Sequence, residues 1–100
     1  MKEVIKTATK VSGYLKTLSH SKRLVLLCHM VECEVSVGEL ALRCGMREAA
    51  VSQQLMLLRK EGIVTGRREG KNVFYKLKNK EIEKIMVFLH REFCHLKGGR

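Results

Sequence analysis

Between Val35 and Leu77 the chain is cut by three glycine-bearing breaks, and each segment between them carries its own periodicity. Ser36 to Arg43 reads as a short helix, opened by Ser36 with Glu39 three residues on, the spacing of a capping box. Cys44-Gly45-Met46 breaks it. Arg47 to Lys60 reads as a second helix, with Val51, Leu55 and Leu58 on one face and Ser52, Gln53 and Gln54 around the rest. Glu61-Gly62 stops that helix, and Gly62 suits a left-handed cap. Ile63 to Arg68 and Asn72 to Leu77 read as two strands joined at Glu69-Gly70-Lys71. In the second strand Val73, Tyr75 and Leu77 alternate with Phe74 and Lys76, as in a half-buried hairpin.

The flanking segments are helical. Val4, Ala8, Val11, Leu15 and Leu18 recur at helical spacing, and Ser19-His20-Ser21 ends that run and can cap the next. Lys22 to Glu32 is expected to be a helix that is apolar nearly all round at Leu24 to Cys28, which puts it in the centre of the core. A last helix from about Asn79 to Leu96 carries Ile82, Ile85, Met86, Leu89 and Phe93 as one stripe. The expected fold is mainly α with a β-hairpin: four helices, two strands and a fifth helix in a single domain over residues 1–100, since a second core would not fit. This is a helix-turn-helix followed by a wing. Its recognition helix lies at about 47–60, its wing at about 63–77 and its C-terminal helix at about 79–96. The first and last helices each hold an apolar stripe that so small a core would leave over. They are expected to form a homodimer interface; the competing reading is that both stripes complete a monomeric core.

Charge narrows the partner. Twenty Lys and Arg against ten Asp and Glu give a net charge of +10, a field that attracts polyanions. The excess gathers at Arg59, Lys60, Arg67, Arg68, Lys71, Lys76, Lys78 and Lys80, with Glu61 and Glu69 as the acidic residues of that stretch. Nucleic acid is the leading partner, and an anionic membrane surface the alternative. Met1 to Lys10 has no apolar run of signal-peptide length, and Leu24 to Cys28 is far short of a membrane span. A cytoplasmic protein with no membrane partner is expected, its four cysteines kept reduced. No paired carboxylates, nucleophile–base arrangement or phosphate loop points to an enzyme, and no cofactor is expected.

On the recognition helix Ser52, Gln53 and Gln54 offer hydrogen-bonding groups to base edges; glutamine can grip the N6/N7 edge of adenine. Arg47 at the helix start can meet a phosphate or a guanine. Arg67, Arg68 and Lys71 of the wing can bind backbone phosphate or enter the minor groove. The partner these residues suit is a double-stranded operator, read as an inverted repeat by two copies of the chain.

Leu18-Ser19-His20-Ser21-Lys22-Arg23-Leu24, Ser36-Val37-Gly38-Glu39-Leu40, Val51-Ser52-Gln53-Gln54-Leu55, Leu58 to Val64, Arg67 to Lys71 and Val73-Phe74-Tyr75 together resemble the ArsR family of bacterial winged-helix repressors. The resemblance covers nearly the whole chain and implies a homodimer that represses a promoter until an effector binds. Ser21 stands where many members have proline. Arg47-Glu48-Ala49 replaces a common serine cap with Gln-Ser, and Gln54 replaces a usual histidine. Metal-sensing members carry Cys-x-Cys at the third helix, or Asp-x-His with His-x-x-Glu on the last; neither is present. Cys28 and Cys94 instead resemble the cysteine pair of the thiol-based, persulfide-responsive members. By that resemblance the two react with reactive sulfur species or oxidants, become linked, and release DNA. Read on its own, Cys28 is a small core residue in an apolar helix. His90 and Cys94, four apart, could also join Cys28 in a zinc site, though no fourth ligand is identifiable and no metal site is assigned. Cys33 and Cys44 are expected to be incidental. The alternatives to a thiol switch are a metal-responsive repressor of the same family and a non-sensing anti-repressor or architectural DNA binder.

Overall fold

The protein is described by a computed structural model covering residues 1–31 and 33–94, with side chains through residue 93. Helix α1 runs from Lys2 to Leu18 and buries only Thr17 and Leu18. The chain turns at Ser19, whose hydroxyl donates to the Lys16 carbonyl (2.7 Å) and so closes α1. It does not cap the next helix. The N-cap of α2 (Ser21–Cys28) is His20, which makes no side-chain cap bond.

Helix α2 drives Leu26 and Leu27 fully into the core, and Met30 follows from the turn beyond it. It is not enclosed all round, because Val25 stays 42% exposed. It also stops at Cys28 rather than running on toward residue 32. The turn after it is held by Met30 N–H donating to the Leu27 carbonyl (3.0 Å) and Val31 N–H to that of Cys28 (3.3 Å).

A two-residue strand, β1 (Val35–Ser36), comes next. Its extended backbone also makes Ser36 the N-cap of α3 (Val37–Cys44), where the Ser36 hydroxyl accepts from Glu39 N–H at 3.1 Å. The return half of the expected capping box is absent, since the Glu39 carboxylate accepts from Arg43 Nε instead (2.9 Å). Gly45, at φ 63°, ends α3 in the left-handed conformation that side chains avoid. Helix α4 spans Glu48–Lys60, and Gly62 at φ 75° turns the chain out of it.

Strands β2 (Val64–Glu69) and β3 (Asn72–Leu77) form the wing, in register from Val64↔Leu77 to Glu69↔Asn72 around a Gly70-Lys71 turn. Strand β1 pairs with the other edge of β3, Val35↔Tyr75 and Ser36↔Phe74, so the sheet has three strands in the order β1-β3-β2. The third strand was not expected: two residues show no alternation, and what makes them a strand is the partner. Helix α5 runs from Lys80 to Leu89, and Asn79 Oδ1 caps it by accepting from Ile82 N–H (2.8 Å). A π-helical turn, His90–Cys94, follows; the expected continuation to residue 96 lies outside the described residues.

The core gathers Leu26, Leu27, Leu40, Val51, Leu55, Leu58, Ile63, Ile82 and Met86 from four helices and the start of the wing. The predicted stripe of α5 therefore splits. Ile82 and Met86 are buried in this subunit, Ile85 and Leu89 partly so, and Phe93 is 63% exposed. The stripe of α1 is left open except at its end: Val4, Ala8, Val11 and Leu15 are exposed, with Ile5 next to Val4, while Leu18 is buried in the core.

Candidate functional site

Helix α4 commits one face to the core. Val51, Leu55 and Leu58 are completely buried, and at 100° per residue this directs Gln53, Met56 and Lys60 away from the subunit, with Ser52 on the flank nearest the wing. Arg47, Ser52 and Gln53 are exposed. Gln54 sits on the other flank, where its Oε1 accepts from Arg23 Nε of α2 at 3.0 Å, so one of its polar atoms is already engaged within the chain. A cleft of about 240 Å³ separates the start of α3 (Val37, Gly38) and α4 (Glu48, Ser52) from the wing turn (Lys71, Asn72, Val73). The wing turn thus lies across a cleft from the start of α4.

The wing cations are not equivalent. Residues 67 and 69 of a strand share one face and 68 takes the other. On the first face Arg67 lies directly across from Phe74 in the β2–β3 register, with its guanidinium 4.9 Å from the ring centroid. Two carboxylates close on it: Nη2 and Nε donate to Glu34 at 2.8–3.0 Å, and Nη1 donates to Glu69 Oε1 at 3.0 Å. These bonds push the already high pKa of Arg67 higher, and they hold the Glu34 carboxyl below the usual carboxylate range. Among the described residues Arg68, Lys71 and Arg47 carry no ion pair. The structure thus brings Ser52 and Lys71 together around one cleft and leaves Arg68 open, while Gln54 and Arg67 are held by neighbours. Glu34 was not singled out in the sequence, where it is one of two acids, with Glu32, just ahead of β1.

The thiols fall in three places. Cys28 ends α2, half-buried. Beside it His29 is held below its ordinary pKa of 6.5, first by burial and then by the positive charge of Arg43 and by His90. Helix α5 packs against α2. The Cys94 side chain lies outside the described residues; its backbone belongs to the π turn that starts at His90. Cys44 is half-buried and its thiol is pushed up by burial, and Cys33 is exposed. Among the described residues no three His, Cys, Asp or Glu gather in a metal-binding arrangement, and no helix is long and apolar enough to cross a membrane. The Cys94 sulfur, part of the zinc site weighed above, lies outside the described residues.

A buried-faced α4 with open polar residues, a wing turn beside it and a strong positive charge define a winged helix-turn-helix DNA-binding transcriptional regulator. No family model matches the chain. Individual relatives do. The transcriptional activator HlyU of Vibrio cholerae is 37% identical over 94 residues, covering 94% of this chain and 87% of that protein. The biofilm growth-associated repressor of Xylella fastidiosa is 45% identical over 89 residues, covering 89% and 78%. Their solved structures agree: reduced HlyU from Vibrio cholerae superposes with a TM-score of 0.89 at 37% identity, covering 94% of this chain and 99% of that one, and the repressor BigR from Xylella fastidiosa with 0.86 at 42%, covering 95% and 94%. The chain belongs to the ArsR/SmtB family of winged-helix transcriptional regulators.

Proposed function

We propose that this chain is a homodimeric cytoplasmic repressor that grips an inverted-repeat operator and releases it when Cys28 and Cys94 react with a persulfide or an oxidant. The observation that carries the thiol reading is the packing of α5 against α2, which sets the helix that ends at Cys28 beside the one that leads into the turn holding Cys94. The similarity to a regulator whose structure is described as reduced points the same way. The dimer rests on the open stripe of α1 (Val4, Ile5, Val11, Leu15) together with exposed Phe88 and Phe93. Two copies then present recognition helices about 34–36 Å apart, one turn of DNA. Arg47, Ser52, Gln53 and Gln54 serve the major groove, and Arg68 and Lys71 lead the wing contacts, with Arg67 on the same wing.

The chemistry balances without a cofactor. A Cys28 thiolate takes the outer sulfur of an organic persulfide RSSH, releasing the thiol RSH and leaving a persulfide on Cys28. The Cys94 thiolate then attacks the inner sulfur of that persulfide, the Cys28 Sγ, forming the disulfide and releasing hydrogen sulfide. With peroxide the same two thiols give the disulfide and two waters. Linking the two sulfurs pulls the π turn against α2 and repacks the dimer helix.

The test is a promoter footprint with reduced and persulfide-treated protein side by side, together with mass spectrometry of the adduct. Protection should vanish on treatment, with a Cys28–Cys94 link in the treated protein, and Cys28→Ser should stay bound. If no thiol reagent changes operator affinity, the sensor is lost and the architectural reading gains; release by zinc alone would favour the metal-responsive one.

A further inference from the structure

Arg67 carries a full charge on a basic wing, yet it is the cation least available to DNA. Three contacts surround its guanidinium: the two oxygens of Glu34, one oxygen of Glu69 and the face of Phe74. The group Glu34–Arg67–Glu69 sums to one negative charge. A phosphate approaching Arg67 must displace a two-oxygen carboxylate grip that is already charge-assisted, and it meets the second carboxylate on the way. A cation already neutralised within the protein adds little to counterion release on binding.

From this geometry we infer that Glu34 is a positioning residue of the DNA interface: it reserves Arg67 for the fold, ties the base of the wing to the segment leaving α2, and keeps that cation from gripping phosphate on any sequence. This rests on the DNA-binding reading of the same face. The wing's grip is then left to Arg68 on the opposite strand face and Lys71 at the turn. The effect is on specificity. Phosphate contacts add affinity for every duplex alike, whereas base contacts do not, so a wing with one cation fewer discriminates better.

The experiment is the salt dependence of binding to the operator and to a duplex of unrelated sequence, by fluorescence anisotropy, for the full chain. Glu34→Gln, which keeps the shape and removes one of the two carboxylates while Glu69 stays beside Arg67, should steepen the log K against log[salt] slope by a part of the ~0.9 that a fully freed cation gives, and tighten binding to the unrelated duplex about 2- to 5-fold near ~0.1 M salt. Arg67→Gln should leave the slope as it is, and Glu34→Gln with Arg67→Gln together should return to the wild-type slope. Glu34→Asp, able to reach Arg67 with the same charge, should stay near wild type. A flatter slope in Arg67→Gln, or an unchanged or flatter one in Glu34→Gln, overturns the inference. A loss of folding in Glu34→Gln is separated from these by the double variant, which lacks the freed cation but shares the missing carboxylate. Arg68→Gln reports on the underlying reading alone: its slope should flatten by about 0.9 whether or not Glu34 acts as inferred.

Discussion

His29 sits just past the last turn of α2, partly buried, facing the positive charge of Arg43 and close to His90. Burial and these neighbours disfavour its protonated form in the folded chain. Below its ordinary pKa of 6.5 the unfolded chain therefore takes up the proton more readily than the folded one. Stability should decline as pH falls from 6.5 through the lower folded-state value, and the loss is complete below that. Melting temperature followed against pH should show this slope in the wild type and a shallower one in His29→Gln; identical slopes would remove His29 from the account. Glu34 and Glu81, each lowered first by a hydrogen bond, from Arg67 and from Tyr14, give a second loss in the same direction below their ordinary 4.5. At this scale the sequence told much about composition and little about pairing. The run Arg67, Arg68, Lys71 was legible as a basic wing. That Arg67 is occupied depends on Glu34, which reaches it only because β1 pairs with β3, and a two-residue strand has no periodicity to announce it.

The elements are held at their starts. Ser36 caps α3 and Asn79 caps α5, each through one accepted backbone bond. Asn79 does more: its Nδ2 donates to Tyr14 Oη at 3.1 Å, and Tyr14 in turn donates to Glu81 Oε1 at 2.8 Å, so the cap also ties α5 to α1. Ser36→Ala should cost about 1 kcal/mol, the usual worth of an N-cap. Asn79→Ala should cost more, about 1.5–2.5 kcal/mol, since a cap and a neutral side-chain hydrogen bond go together. Urea unfolding of the two variants checks the order, and equal costs would mean the Tyr14 link adds nothing. The start of α3 was readable from Ser36, whereas the cap expected for α2 from Ser19 to Ser21 fell on His20 without a side-chain bond. Helix ends were less readable. The apolar run of α2 continues past Cys28, but Met30 reaches the core from a turn, a choice made by tertiary packing. The change to a π turn after Leu89 likewise has no local marker such as glycine or proline.

Across the whole molecule the surplus is apolar surface on α1. Ile5 and Leu15 stay 60% and 54% exposed, more than isolated surface residues need, and they lie on one helix with Val4 and Val11. Leu15→Glu should shift the protein from dimer to monomer in sedimentation and weaken operator binding at least tenfold, while the circular dichroism of the folded subunit stays intact, because Leu15 is not part of the core. A dimer that persists would place the interface elsewhere. The two-stripe pattern was visible in the sequence for α1; for α5 it was only half right, because Ile82 and Met86 lie in the same stripe as Phe93 but face inward.

The order β1-β3-β2 leaves β3 with a neighbour on each side, so the longest open strand edge is that of β2. That edge carries Arg67, Arg68 and Glu69. An unpaired border studded with charge resists strand addition from another molecule. At high concentration, fibril-type stacking through the wing should be suppressed, and crowded copies should meet through their helices instead.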